Sequence, residues 1–282
     1  MTSGPGAHAD SPAPKVSRAG RNLPAAIAVG VGLVAMIAAS LLLFKHAFVV
    51  IVVAAMALGI DELRKALGTV GIAMPALPVQ LGSVAMLLSA YLLGPDAMVV
   101  AVALTVLLTA LWRLRGGAPG YVRDVTSGVF TSIYVPFLAC FVLLMLRVDN
   151  GHWQVATFIL VTIASDIGGY ASGVLFGKHP MAPTISPKKS WEGFAGSAVT
   201  CALAGWLTVV YLLGGAWWTG VLLGAITVVT ATLGDLTESV IKRDLGIKDM
   251  SQLLPGHGGL MDRLDSLLAT VPFAWMVMHF IV

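Results

Sequence analysis

The stretch Asp235–Asp265, DLTESVIKRDLGIKDMSQLLPGHGGLMDRLD, decides how this chain is read. Ten of its residues are Asp, Glu, Lys or Arg, and His257 is a further titratable group. Its flanks, Val221–Leu233 and Leu267–Val282, contain none of those four residue types. Such a density of both charge signs inside an apolar chain calls for a polar ligand or water beside it, because an unpaired charge in hydrocarbon is costly.

Outward from that stretch the composition sets the solvent. The chain is 57% hydrophobic and 11% charged, with a mean hydropathy of +0.89, whereas soluble domains are roughly 25% charged. Most of the chain therefore faces lipid, which excludes an ordinary soluble globular protein. Cys140 and Cys201 sit far apart inside apolar runs, so they read as buried thiols, with neither a disulfide framework nor zinc spacing.

In chain order, residues 1–22 are rich in Pro, Gly, Ala and Ser and end with Lys15, Arg18 and Arg21, which predicts a disordered cytoplasmic tail. Apolar runs follow at about Leu23–Phe44, His46–Ile60, Val79–Leu93, Asp96–Leu114, Val125–Leu146, Trp153–Phe176, Glu192–Leu213, Ala216–Leu233 and Ser266–Val282. The first is too long for the ~7–15-residue core of a signal peptide and suits a span. The expected fold is all-α: a polytopic membrane protein with roughly nine transmembrane helices, residues 23–282 forming a single membrane-embedded catalytic domain. The four-residue rhythm Ser165, Gly169, Gly173, Gly177 suits close helix contact in lipid.

With the N-terminus cytoplasmic, nine spans put 15 of the 17 Lys and Arg residues inside, and only Lys45 and Arg147 outside. One span more or fewer early in the chain would scramble that split. The charged stretch is accordingly expected to face the cytoplasm, from a plasma or inner membrane.

If the eighth helix continues through Leu245, then Asp235, Glu238, Ser239 and Lys242 fall at i, i+3, i+4 and i+7 on one face. Gly246 is a helix stop. In Pro255-Gly-His-Gly-Gly259 the glycines let backbone N–H groups approach an anion. The helix expected to follow carries Asp262, Asp265 and Ser266 in its first turns. Carboxylates, cations and a glycine turn suit a phosphate chain held with Mg²⁺, a hard cation that takes one or two carboxylates plus phosphates and water. Asp235 and Asp262 are the first choices as ligands, then Glu238 and Asp265. Each piece also has an ordinary explanation: Glu238 with Lys242 as an i,i+4 pair, Asp262 as a helix-dipole partner, His257 as a loop histidine.

A second cluster precedes it. Asp166 lies in the sixth span, where an ionisable group is a functional candidate or a helix-packing hydrogen bond. Ser186-Pro-Lys188-Lys189-Ser-Trp191-Glu-Gly193 then puts paired lysines and an aromatic at the lipid boundary, which also suits positive-inside anchoring.

Together these residues resemble the phosphatidate cytidylyltransferase (CDP-diacylglycerol synthase) family. The run Ser239–Asp265 resembles its defining motif, with Lys-Arg, Lys-Asp, His-Gly-Gly and Asp-Arg-x-Asp elements in place. The likeness extends to Asp166-Ile-Gly-Gly-Tyr170, Phe176-Gly-Lys-His179 and Ser186–Gly193, and covers the C-terminal half best.

The resemblance implies transfer of the cytidylyl group of CTP to phosphatidic acid at a lipid bilayer, with Mg²⁺ required and a second, monovalent cation as an option. It implies no nucleic-acid partner and leaves a homodimer open. The lipid phosphate is already ionised, with a second pKa of about 6, so no general base is needed. Asp235, Asp262 and Glu238 are then the expected metal set. Lys188, Lys189, Lys242, Arg243 and Lys248 neutralise CTP phosphates or the lipid head. His257, Gly258 and Gly259 cradle phosphate. Asp166, Asp249 and Asp265 bind metal, orient cations or read the nucleotide, and Ser186, Ser239 and Arg263 complete the substrate site. Two rivals remain at this point: a CTP-dependent polyprenol-type lipid kinase, and a membrane transporter.

Overall fold

The computed structural model describes residues 23–253 and 258–282, with side chains from residue 30 onward. The expected tail 1–22 and His257 lie outside the described residues.

Lipid offers no partners for backbone N–H and C=O groups, so an apolar chain satisfies them within helices. The helices are α1 Leu23–Leu43, α2 Lys45–Thr69, α3 Ala76–Leu92, α4 Pro95–Arg113, α5 Tyr121–Ser132, α6 Leu138–Leu146, α7 Gly151–Phe176, α8 Trp191–Thr208, α9 Trp217–Asp244 and α10 Met261–Phe280. A π-helical turn, Ile133–Phe137, joins α5 and α6 into one rod. It accommodates Pro136, which has no N–H and would clash in a regular turn. Among the described residues this gives nine rods. Six are long and apolar enough to cross a bilayer, namely α2, α4, α5–α6, α7, α8 and α9, while Gly30–Leu43 and α3 are shorter apolar helices.

Two boundaries move furthest from the hydropathy reading. The second span was expected to end at Ile60, yet α2 continues to Thr69, and the eighth run outlasts Leu233 to reach Asp244. In both cases polar residues with good helix propensity extend an apolar rod beyond its apolar part. The fold also carries one small element the sequence reading lacked, an antiparallel hairpin of β1 Pro180–Ala182 and β2 Ser186–Ser190.

The C-terminal half is packed by backbone approach. A Cβ on Gly205 would overlap the Gly220 carbonyl, and one on Gly224 the Cys201 carbonyl. Small residues at such crossings let helices meet in lipid, where no hydrophobic force drives them together. Hydroxyls add interhelical bonds: Ser197 Oγ donates to Ser165 O at 2.7 Å and Thr200 Oγ1 to Ala164 O at 2.8 Å. Gly169 meets Ser197 Oγ and Gly177 meets Ser190 Oγ, so the small-residue rhythm of α7 does face the start of α8. Between α9 and α10, a Cβ on Gly234 would meet Asp265 O at 2.5 Å, and Thr230 Oγ1 donates to Thr270 Oγ1 at 3.1 Å.

In the N-terminal half, buried Asp124 ties three segments together. It accepts Ala73 N–H at 3.0 Å and Arg113 Nε at 2.9 Å, while Arg123 reaches Gly71 O at 2.6 Å. Cys140 and Cys201 are buried free thiols.

Candidate active site

Because α9 runs unbroken to Asp244, Asp235, Glu238, Ser239 and Lys242 share one face. Lys242 Nζ lies 2.6 Å from Glu238 Oε2, and Ser239 Oγ lies 3.5 Å from Asp235 Oδ1. The helix stops at Gly246, whose φ is +68°. Gly246 N–H bonds Arg243 O at 3.2 Å and Ile247 N–H bonds Lys242 O at 2.9 Å, a Schellman ending that needs a left-handed residue there.

The chain returns to α10, and Asp262 in its first turn meets the α9 stripe. Asp262 Oδ1 is 2.7 Å from Lys242 Nζ, so one ammonium bridges carboxylates of two helices. Asp262 Oδ2 accepts N–H groups from Met250 at 3.0 Å and Gly259 at 2.8 Å. Gly258, with φ of +83°, passes so close to Asp262 that a Cβ would lie 3.2 Å from its carboxylate. Asp265 is buried one turn deeper and accepts the Ser266 N–H at 2.7 Å.

The hairpin brings the lysine pair to the same place. Lys189 Nζ sits 2.6 Å from Asp235 Oδ2 and 3.4 Å from Thr232 O. Ser190 caps α8 by accepting Gly193 N–H at 3.1 Å. Glu192 in the next turn anchors the start of the hairpin, accepting Lys178 N–H at 3.1 Å and His179 N–H at 3.2 Å. At its turn, Ile185 O accepts Arg243 Nε at 3.4 Å, so the end of α9 touches the hairpin.

These parts enclose a cavity of about 570 Å³, within the ~300–1,000 Å³ of small-molecule sites. Of the residues singled out in the sequence, Asp166, Ser186, Lys188, Lys189, Asp235, Lys242, Asp249, Gly258, Asp262, Arg263 and Asp265 border it. Glu238 lies behind Lys242 with 0% exposure. Ser239, Gly259, Arg243 and Lys248 do not line the cavity, and the last two are exposed. Asp166 stands ten residues before the end of α7 and Asp235 nine before the end of α9. At 1.5 Å per residue these two carboxylates sit about 15 Å along their helices from the ends.

Five carboxylates face four cations across this space. Asp235 and Asp262, the first-choice metal ligands, are each engaged by a lysine. Among the described residues no three His, Cys, Asp or Glu side chains converge into a metal cage. Mg²⁺ does not require one, since it binds through one or two carboxylates with substrate phosphates and water completing the shell. The donor set, carboxylate oxygens only, fits that cation.

Sequence reasoning missed Glu62 of α2. The residue is 4% exposed, and its carboxylate accepts N–H groups of Leu260 at 2.9 Å and Met261 at 2.8 Å, along with the Ser251 hydroxyl. In sequence it sits in Asp61-Glu-Leu-Arg-Lys65, which reads as a solvated run of i,i+3 and i,i+4 ion pairs. Asp61 does behave that way, pairing with Arg64 at 2.6 Å and Lys65 at 2.7 Å.

The bundle and its cavity define a class, a multi-span helical membrane protein with a deep pocket bearing both signs of charge. Within that class, the chain belongs to the Cytidylyltransferase family, whose sequence model matches residues 24–281. It is 44% identical over 280 residues to a phosphatidate cytidylyltransferase of Mycobacterium bovis, covering 95% of this chain and 92% of the relative. The Mycobacterium tuberculosis H37Rv protein of the same name is also 44% identical, covering 95% of this chain and 85% of that one. A phosphatidate cytidylyltransferase of Haemophilus influenzae is 42% identical over 154 residues, half of this chain and 53% of that protein.

Proposed function

We propose that this chain is a phosphatidate cytidylyltransferase, converting CTP and phosphatidate to CDP-diacylglycerol and pyrophosphate for phospholipid synthesis. The observation that carries the reading is the Glu238–Lys242–Asp262 bridge in a cavity that also holds the Lys189–Asp235 pair, in a chain 44% identical to enzymes of that name.

The chemistry asks for little besides charge and position. A phosphate oxygen of the lipid attacks the α-phosphorus of CTP, a P–O–P linkage forms, the α–β bridge bond breaks and pyrophosphate leaves. Both reactants are anionic, so neutralisation and in-line placement supply most of the rate. Lys242 is fixed by two carboxylates and presents its remaining N–H to the cavity as a rigid donor. Lys189 is held by Asp235 and can exchange that partner for phosphate. Gly258 brings main chain to the same wall. The nucleophile arrives ionised, so no side chain has to remove a proton.

Asp235 and Asp262 are the residues that would hold Mg²⁺, with Asp166, Asp249 and Asp265 as neighbours able to orient it. When bound, the cation supplies charge neutralisation of the phosphate chain. Transfer should stop in excess EDTA and return with Mg²⁺.

The finer topology belongs to the same proposal. Residues 23–282 form one membrane-embedded catalytic domain with nine crossings, the N-terminus and cavity cytoplasmic. This rests on the 15-to-2 division of basic residues that nine alternating rods produce. Cysteines placed at Lys188 and at Arg147 should be labelled by an impermeant maleimide from opposite sides.

The deciding assay uses purified protein, phosphatidate and CTP labelled at the α- or γ-phosphate. Label entering lipid from the α-position, with pyrophosphate released, is expected. Entry from the γ-position would mark a lipid kinase and overturn the reading.

A further inference from the structure

We infer that Glu62, in the N-terminal half of the chain, is a positioning residue for the cavity formed by the C-terminal half. The inference rests on the cytidylyl-transfer reading for what is being positioned, and on geometry for how.

A helix N-terminus leaves its first N–H groups without intrahelical partners, and a residue just before the helix usually caps them. At α10 the preceding residue is Leu260, which has no capping side chain. Glu62 does that work from α2, 199 positions away in sequence: its two oxygens take the Leu260 and Met261 N–H groups. The negative charge at the positive end of the helix adds to the bond energy. The same carboxylate takes the Ser251 hydroxyl, and a Cβ on Gly259 would lie 3.0 Å from it.

Glu62 and Asp262 thus grip the segments flanking the glycine turn from two directions. Asp262 takes Met250 and Gly259 N–H; Glu62 takes Ser251, Leu260 and Met261. What Glu62 fixes is the rotation and height of the first turn of α10. That turn carries Asp262 to Lys242 and Arg263 and Asp265 to the cavity wall. Glu62 itself does not border the cavity. A phosphate-transfer site tolerates little displacement, since an error of about 1 Å can cost about 10²-fold.

The test is Glu62→Gln, which keeps size and one acceptor but turns an N–H toward a backbone N–H, with Asp61→Asn as the control at the neighbouring carboxylate. Two readouts are taken on purified full-length protein: amide exchange at Leu260 and Met261, and the KM for CTP separated from kcat. The expected result is exchange faster by about tenfold at those amides, a KM for CTP raised at least about fivefold, and a melting temperature close to wild type. Simple loss of folded protein would lower apparent kcat at constant KM, and would overturn the inference. Unchanged exchange would overturn it too, as would faster exchange with unchanged KM and kcat. If the Gln variant does not insert, Glu62→Asp reads the same two quantities with the charge kept and the reach shortened. A wild type inactive on CTP and phosphatidate would remove the functional reading and this inference together, whereas an active wild type with unchanged exchange removes only this one.

Discussion

Replacing Lys242 with methionine keeps the length of the side chain and removes the ammonium shared by Glu238 and Asp262. The lysine side chain is 17% exposed, that of Glu238 0% and that of Asp262 8%, so solvent can take over little of its work. Asp262 keeps two backbone N–H donors after the change. Glu238 keeps nothing, because its second oxygen already has no hydrogen-bond partner among the described residues. Removing one member of a buried ion pair costs about 3–5 kcal/mol, and most of that cost should fall on Glu238. At about 2–4 °C per kcal/mol, the melting temperature in detergent should drop by roughly 6–20 °C. The second arm makes the assignment specific. Adding Glu238→Gln to Lys242→Met removes the stranded charge and should recover more than half of the loss, while Glu238→Gln alone should cost only about 1 kcal/mol. A Lys242→Met protein melting within about 2 °C of wild type would refute the buried-bridge reasoning, as would a double variant no better than the single one.

Three further outcomes are expected. Asp262→Asn should lower kcat by roughly 10²–10³-fold with the protein still inserted in the membrane, checked by steady-state transfer and membrane fractionation; wild-type turnover would remove Asp262 from the site. Lys189→Met breaks a half-exposed pair with Asp235, so stability should change by less than about 1 kcal/mol while the KM for CTP rises about tenfold, the typical worth of one charged contact. Gly224→Leu places a side chain into the Cys201 carbonyl at the α8–α9 crossing and should destabilise by at least about 1–3 kcal/mol, read by melting in detergent, with Gly32→Leu, where nothing lies within 4 Å, as the neutral comparison.

Much of the fold was legible because most rods are built on a long apolar run that lipid obliges to be helical. The helical stripe of Asp235, Glu238 and Lys242 was legible for a related reason: spacing on one helix survives folding. The partners across helices were not. Nothing in the sequence says that Lys242 chooses Asp262 as well as Glu238, since that pairing depends on how closely Gly234 lets α10 approach α9, or that Lys189 reaches Asp235, since that one depends on where the hairpin folds back. Glu62 was hidden more thoroughly. Its neighbours Asp61, Arg64 and Lys65 form the surface pairs their spacing predicts, and only the burial of one side of α2 turns the adjacent carboxylate inward. The hairpin was missed because two strands as short as Pro-Met-Ala and Ser-Pro-Lys-Lys-Ser carry no alternating apolar pattern.

The placing of two acidic residues well inside their helices constrains traffic through the cavity. Asp166 and Asp235 stand roughly three helical turns short of the ends of α7 and α9, so a reactant that reaches both carboxylates must first pass Lys188 and Lys189, which border the same cavity. An anionic product held by those lysines has to leave before the next anionic reactant can take the same cations.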